Sequence, residues 1–292
     1  MKLIFRLHPP LTILVTALLA LCLTYSSISQ AKVTGADIYE TTLKSTPIYK
    51  DPALEAYIKS LGEEIVAVSE MAGEKFTFTL LDDEALNAFA TRDNYIYVNR
   101  GLLNYVSNEA QLVSVLAHEV GHVTRGHVTG QEERMTGAKI LSTLAAVLSN
   151  SNEVYEATMA YANSMIQSHG RRNELEADET GAEYMAKLGY DPTEMLSMLS
   201  IMKDNESSQK KRAQGQGVSK PTYHGVFSSH PRNDARLRTV VNKTKSLKSD
   251  QRRDNGSDVY RGITDGLVEG VNFIGKTHST ERQSTMNQNN TS

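Results

Sequence analysis

The feature that most limits what this chain can fold into is a polar pentapeptide set where a core belongs. His118-Glu119-Val120-Gly121-His122 closes a run from Asn108 to Ala117 whose Leu112, Val113, Val115 and Leu116 make a helix apolar nearly all round, and so a buried one. Two imidazoles and a carboxylate on such a helix are costly unless something pairs them. Histidines satisfied by hydrogen bonds in a core are the bland alternative. Histidines four apart also lie one turn apart on one face, where their nitrogens can converge on a single metal. Glu119 comes about 100° further round the helix, too far to be an equivalent ligand but placed to take a proton from water at that metal. The pattern points to metal-assisted hydrolysis, on a helix expected to run over residues 102–122 and to end at Gly126.

Zinc would need a third protein ligand beside an open position. The next dense acidic stretch is 173–192, where Leu175, Ala182, Tyr184 and Met185, with a stop at Gly189, predict a helix. Glu174 and Asp178 are four apart and share a face, so one suits a metal and the other the outer N–H of a ligating histidine. A solvated acidic helix start favoured by the macrodipole explains that spacing equally well. Glu176 points elsewhere. His127 would face away from His118 if the helix continued, half a turn out of phase, which leaves it a surface position or one behind the ligands. A metzincin pattern would require glycine and histidine where Arg125 and Val128 stand, so that arrangement is excluded.

The rest of the chain frames this site. Its 292 residues, 39% hydrophobic, suffice for one large or two modest domains, and a formal charge of −3 offers no electrostatic footprint for nucleic acid. Residues 1–31 read as an export signal: Lys2 and Arg6, an apolar core from Leu11 to Leu23, and small residues before Ala31. That core is short for a membrane span, with a retained anchor as the alternative. Cleavage after Ala31 removes Cys22, the single cysteine, and a cysteine-free exported chain fits a bacterial periplasm. Helical spacing over residues 35–69 includes a start at Asp51-Pro52. Lys75 to Leu81 alternates as a strand, and Asn87–Thr91 with Tyr95–Val98 reads as a hairpin. That hairpin either covers the helix as a small sheet or offers an edge to an extended peptide. Residues 140–148, too short to span a membrane, and 153–169, mixed in character, predict two further helices suited to a lid or to a membrane surface, and 204–220 predicts a loop. The fold class expected is α+β and mostly helical.

The motif, the stretch Glu174-Leu-Glu-Ala-Asp178, and then Gly181 to Pro192 together resemble the HtpX-like and CAAX-prenyl-protease-like zinc metallopeptidases, most closely their exported branch. The likeness covers about residues 50–242, including Asn87-Ala88-Phe89-Ala90, Gly101-Leu-Leu103 and Ser229-His-Pro231. It implies a zincin-like fold with a small sheet beside the helix, and one zinc per chain held by His118, His122 and Glu174. It implies Glu119 as general base and Asp178 as the carboxylate that orients a histidine. His230 and Arg236 would stabilise the oxyanion, or His230 would cap the metal at rest. Asn87, Ala88, Phe89 and Ala90 would align substrate. The domains implied are a signal over 1–31, a peptidase over 32–242, and a polar, partly disordered extension over 243–292. Substrates would be unfolded or misassembled envelope proteins, met in the periplasm or at a membrane surface. The competing expectation is a metal-binding, chaperone-like quality-control protein that cuts little.

Overall fold

The computed structural model describes residues 33–149, 151–201, 234–247 and 253–267. The export signal, the 204–220 loop, His230 and everything after 267 lie outside the described residues.

The segment read as helical over 35–69 forms two helices. α1, Gly35–Ser45, starts at a capping box in which the Asp37 N–H donates to Thr34 Oγ1 and the Thr34 N–H donates to the Asp37 carboxylate. α2, Pro52–Ala67, starts where Asp51 accepts the Leu54 N–H at 3.1 Å, with proline at the first helical position. Its inner face, Leu54, Ile58, Leu61 and Ile65, is buried.

Three strands follow: β1, Thr77–Leu81; β2, Ala88–Thr91; and β3, Tyr95–Asn99. β2 and β3 form the expected antiparallel hairpin, turned by Asp93 and Asn94 at φ 59° and 64°, a conformation their short polar side chains tolerate. Phe89 faces Tyr97 in register, with ring centroids 4.7 Å apart. β1 pairs parallel to β3 on its other side, from Thr77↔Tyr95 to Leu81↔Asn99, giving the order β1-β3-β2. The outer edge of β1 is partly covered by residues 47–49, through Tyr49 N–H to Leu80 O at 2.9 Å. The outer edge of β2 has no strand partner among the described residues.

The single helix expected over 102–122 is two. α3, Arg100–Leu103, ends after one turn, and α4, Glu109–Thr124, begins afresh. The apolar spacing runs across the break, but Asn108 accepts the Gln111 N–H at 2.8 Å while Gln111 Oε1 accepts the Ser107 N–H at 3.0 Å, a reciprocal cap that fixes a new start. A Cβ on Gly101 would sit 2.0 Å from the Glu84 carbonyl oxygen. Gly101→Ala is therefore expected to lower stability by about 1–3 kcal/mol in urea unfolding; a wild-type midpoint would mean that the turn before α3 yields freely.

α4 is buried on all sides from Ala110 through His122. It packs against α2, β2 and the long helices α5, His127–Ser149, and α6, Asn152–Leu188. The helices expected over 153–169 and 173–188 are one continuous α6, because nothing between them stops a helix: there is no proline, and Gly170 costs only about 1 kcal/mol. α6 ends at Gly189, whose N–H and that of Tyr190 close onto Ala186 and Met185. After a helical stretch at 194–201 come α7, Asp234–Ser246, packed on α6, and α8, Ser257–Thr264, packed on α2 and α4. Position 242 thus falls inside α7, and residues 253–267 lie against the core. Tyr260 is buried and its hydroxyl donates to Leu103 O at 2.6 Å, and the Ala110 N–H donates to Asn255 O at 3.1 Å. Among the described residues no helix is long and apolar enough to cross a membrane.

Candidate metal centre

Helices α4 and α6 supply the site, and small residues let them meet. A Cβ on Gly121 would lie 3.1 Å from Ala177 O, so the two backbones approach closely there. That approach brings His118 and His122 from one helix onto Glu174 and Asp178 from the other. The Nε2 atoms of the histidines are 3.0 Å apart. His118 Nε2 is 3.4 Å from Glu174 Oε2, and His122 Nε2 is 3.2 Å from Glu174 Oε1. All three side chains are buried, and their ligand atoms lie within 4.8 Å of one another. Donors about 2.0–2.1 Å from a tetrahedral ion stand roughly 3.3 Å apart, so the observed spacing fits a metal. Two nitrogens and a carboxylate oxygen are also the donor set zinc accepts.

Behind these groups stands a buried ion pair. Arg236, from α7, donates through Nε and Nη2 to both oxygens of Asp178 at 2.7 Å each, and its Nη1 is 3.0 Å from Glu174 Oε2. Asp178 Oδ1 is in turn 2.9 Å from His118 Nδ1. Burial would raise the Asp178 carboxyl, but Arg236 and His118 outweigh it and hold its pKa below the ordinary value. Burial likewise opposes charge on His118, yet Asp178 and Glu174 prevail and push its pKa up to about 10. Metal binding at neutral pH must therefore release that proton. Glu119, also buried, lies outside the donor triad and lines a pocket with His118, Arg236, Val115, Met195 and Met198.

The structure thus brings His118, Glu119, His122, Glu174, Asp178 and Arg236 together. The Arg236 guanidinium is directed at the two carboxylates of α6. Asn87 precedes β2, and Ala88, Phe89 and Ala90 lie in that edge strand, which packs against α4 outside the cluster. His230 lies outside the described residues.

The sequence left His127 either at the surface or behind the ligands and pointed Glu176 elsewhere; the structure sets both behind His122. α4 stops at Arg125, and Gly126, at φ 67°, turns the chain so that His127 folds back instead of facing away. Its Nδ1 comes 3.0 Å from His122 Nδ1, and its Nε2 comes 3.0 Å from Glu176 Oε2. Burial lowers the His127 pKa, with Glu176 opposing. The signal was Gly126 itself: once the helix stops there, the phase argument against His127 no longer applies.

Comparison with known proteins bears on the same residues. The profile of peptidase family M48 matches residues 52–244. The chain is 32% identical over 232 residues to the beta-barrel assembly-enhancing protease of Yersinia pestis, covering 76% of this chain and 45% of that protein. It is 29% identical over 232 residues, with the same coverage, to the protein of that name from Escherichia coli (strain K12). It is 28% identical over 155 residues to the mitochondrial metalloendopeptidase OMA1 of Arabidopsis thaliana, covering 51% of this chain and 30% of that protein. The chain spans about half the length of the beta-barrel assembly-enhancing proteases it matches.

Proposed function

The chain belongs to peptidase family M48, and from that premise we propose that it is a zinc-dependent endopeptidase cutting unfolded or misassembled proteins of the bacterial envelope. The observation that carries this reading is the buried convergence of His118, His122 and Glu174 with Glu119 beside them. The name of its relatives, which refers to β-barrel assembly, supports misassembled outer-membrane proteins as the setting, and an export signal over residues 1–31 would deliver the protein to the periplasm.

His118, His122 and Glu174 would hold the zinc, which when bound polarises the scissile carbonyl and acidifies water. Glu119 takes the proton of the attacking water and passes it to the leaving amide nitrogen. Asp178 orients His118 through its outer nitrogen. Arg236 fixes Asp178 and Glu174 through its contacts to both carboxylates, and it lines the pocket beside Glu119. His230 is assigned to the oxyanion on resemblance alone. The outer edge of β2, which has no strand partner among the described residues, would take an extended peptide as an added strand, which suits unfolded substrates because main-chain pairing ignores their sequence.

Purified protein is expected to carry one zinc per chain and to degrade unfolded casein. Chelation should reduce cleavage to background, and stoichiometric zinc should restore it. Failure to bind metal after reconstitution would sink the reading, whereas bound zinc without cleavage would move the protein to the chaperone-like class.

A further inference from the structure

The two metal-facing histidines are supported differently. His118 has a carboxylate, Asp178, 2.9 Å from its outer nitrogen. The outer nitrogen of His122 instead meets a second imidazole, His127, at 3.0 Å, and a carboxylate stands one step further on, with Glu176 Oε2 3.0 Å from His127 Nε2. The rings of His122 and His127 meet edge-on, centroids 5.1 Å apart at 73°.

Followed inward from Glu176, the proton count gives one arrangement, and in the metal-free protein the Glu174 carboxylate, 3.2 Å from His122 Nε2, competes with it. A carboxylate can only accept, so His127 Nε2 must carry a hydrogen. A neutral His127 then has a bare Nδ1 and can only accept from His122. His122 must therefore carry its hydrogen on Nδ1, which leaves Nε2 bare and aimed at His118 Nε2 and Glu174. The opposite arrangement would set a lone pair of His127 against the Glu176 carboxylate and place a hydrogen on the nitrogen that has to bind metal.

We propose that His127, held by Glu176, is a positioning residue that fixes His122 in the tautomer able to ligate zinc. The inference rests on the reading of His118, His122 and Glu174 as a zinc site. His127 is not itself a fourth ligand, because the nitrogen near His122 faces that residue's outer nitrogen and not the donor cluster. The relay also gives the site unequal sides. Asp178 is buried, whereas the Glu176 side chain is 51% exposed, so the support of His122 ends at solvent.

The test uses the full chain in two measurements. Zinc affinity is read by competition with a chromophoric chelator. The His122 tautomer is read in metal-free, ¹⁵N-histidine-labelled protein from long-range proton–nitrogen spectra. His127→Ala is expected to weaken zinc binding about 10–100-fold and to release His122 into a mixture of tautomers. Glu176→Gln, at a half-exposed position where the fold should be unaffected, replaces a strict acceptor with a group that can donate or accept. It should weaken zinc binding less and in the same direction. The double variant should bind zinc no more weakly than His127→Ala alone, because one relay is being broken twice. Wild-type affinity in His127→Ala, weakened affinity with the tautomer intact, or additive losses in the double variant would each overturn the proposal. A wild type that binds no zinc would overturn the metal reading instead, and the metal-free spectra would still decide whether His127 sets the tautomer.

Discussion

Glu119→Gln is expected to lower kcat on unfolded casein by about 10²–10⁴-fold, the range a positioned general base contributes, while zinc content stays at one per chain. The substitution is nearly isosteric and removes only the ability to take a proton. Glu119 lies outside the convergence of His118, His122 and Glu174, so the ligands should not notice its loss. It is buried beside the pocket that also contacts His118 and Arg236, where an alternative base from solvent has poor access. The effect should fall on kcat with KM little changed, because the proton moves only in the transition state. Cleavage surviving the change within tenfold would remove Glu119 from the mechanism, and loss of zinc would reassign it to the metal.

The second large effect is on stability. Arg236→Leu takes from Asp178 and Glu174, 1% and 3% exposed, the guanidinium that contacts both. Breaking a buried pair by removing one partner costs about 3–5 kcal/mol, so urea unfolding of the metal-free variant should fall by that order. Zinc should return part of the loss, because a divalent ion supplies charge to the same carboxylates. The pH dependence has a definite sign. Asp178 has its folded pKa held below the ordinary 3.8, so its contribution is complete above that value and is lost as pH falls below it. The gap between wild type and Arg236→Leu should therefore be widest near neutrality and narrow as pH falls below 3.8. A gap that stays constant over that range would show that something other than this ion pair carries the difference.

Much of the centre was legible because its signals are local. The burial of α4 follows from Leu112, Val113, Val115 and Leu116, and the pairing of His118 with His122 follows from helix pitch. Glu174 and Asp178 were half legible: spacing put them on one face but could not say whether water or a metal lay in front of it. What the sequence left hidden depends on contacts between distant segments or on competition between local ones. The break before α4 is decided by a cap at Asn108 against an apolar period that runs through it. β1 lies beside β3 instead of its neighbour β2, a choice that no alternation of residues records. Arg236 reaches Asp178 across 58 positions, so its double hydrogen bond with that carboxylate had no mark in the chain. His127 was excluded as a ligand but left between the surface and a place behind the ligands, and the turn at Gly126 decides between the two.

The tie between Tyr260 and Leu103 joins residues 157 positions apart, and it lies near the start of the helix that bears the motif. Together with the Arg236 clasp, it makes the centre depend on long-range contacts whose closure costs chain entropy. For the proposed endopeptidase, one unfolded chain always at hand is its own nascent polypeptide. Its centre is assembled from segments that an unfolded copy of the chain holds far apart.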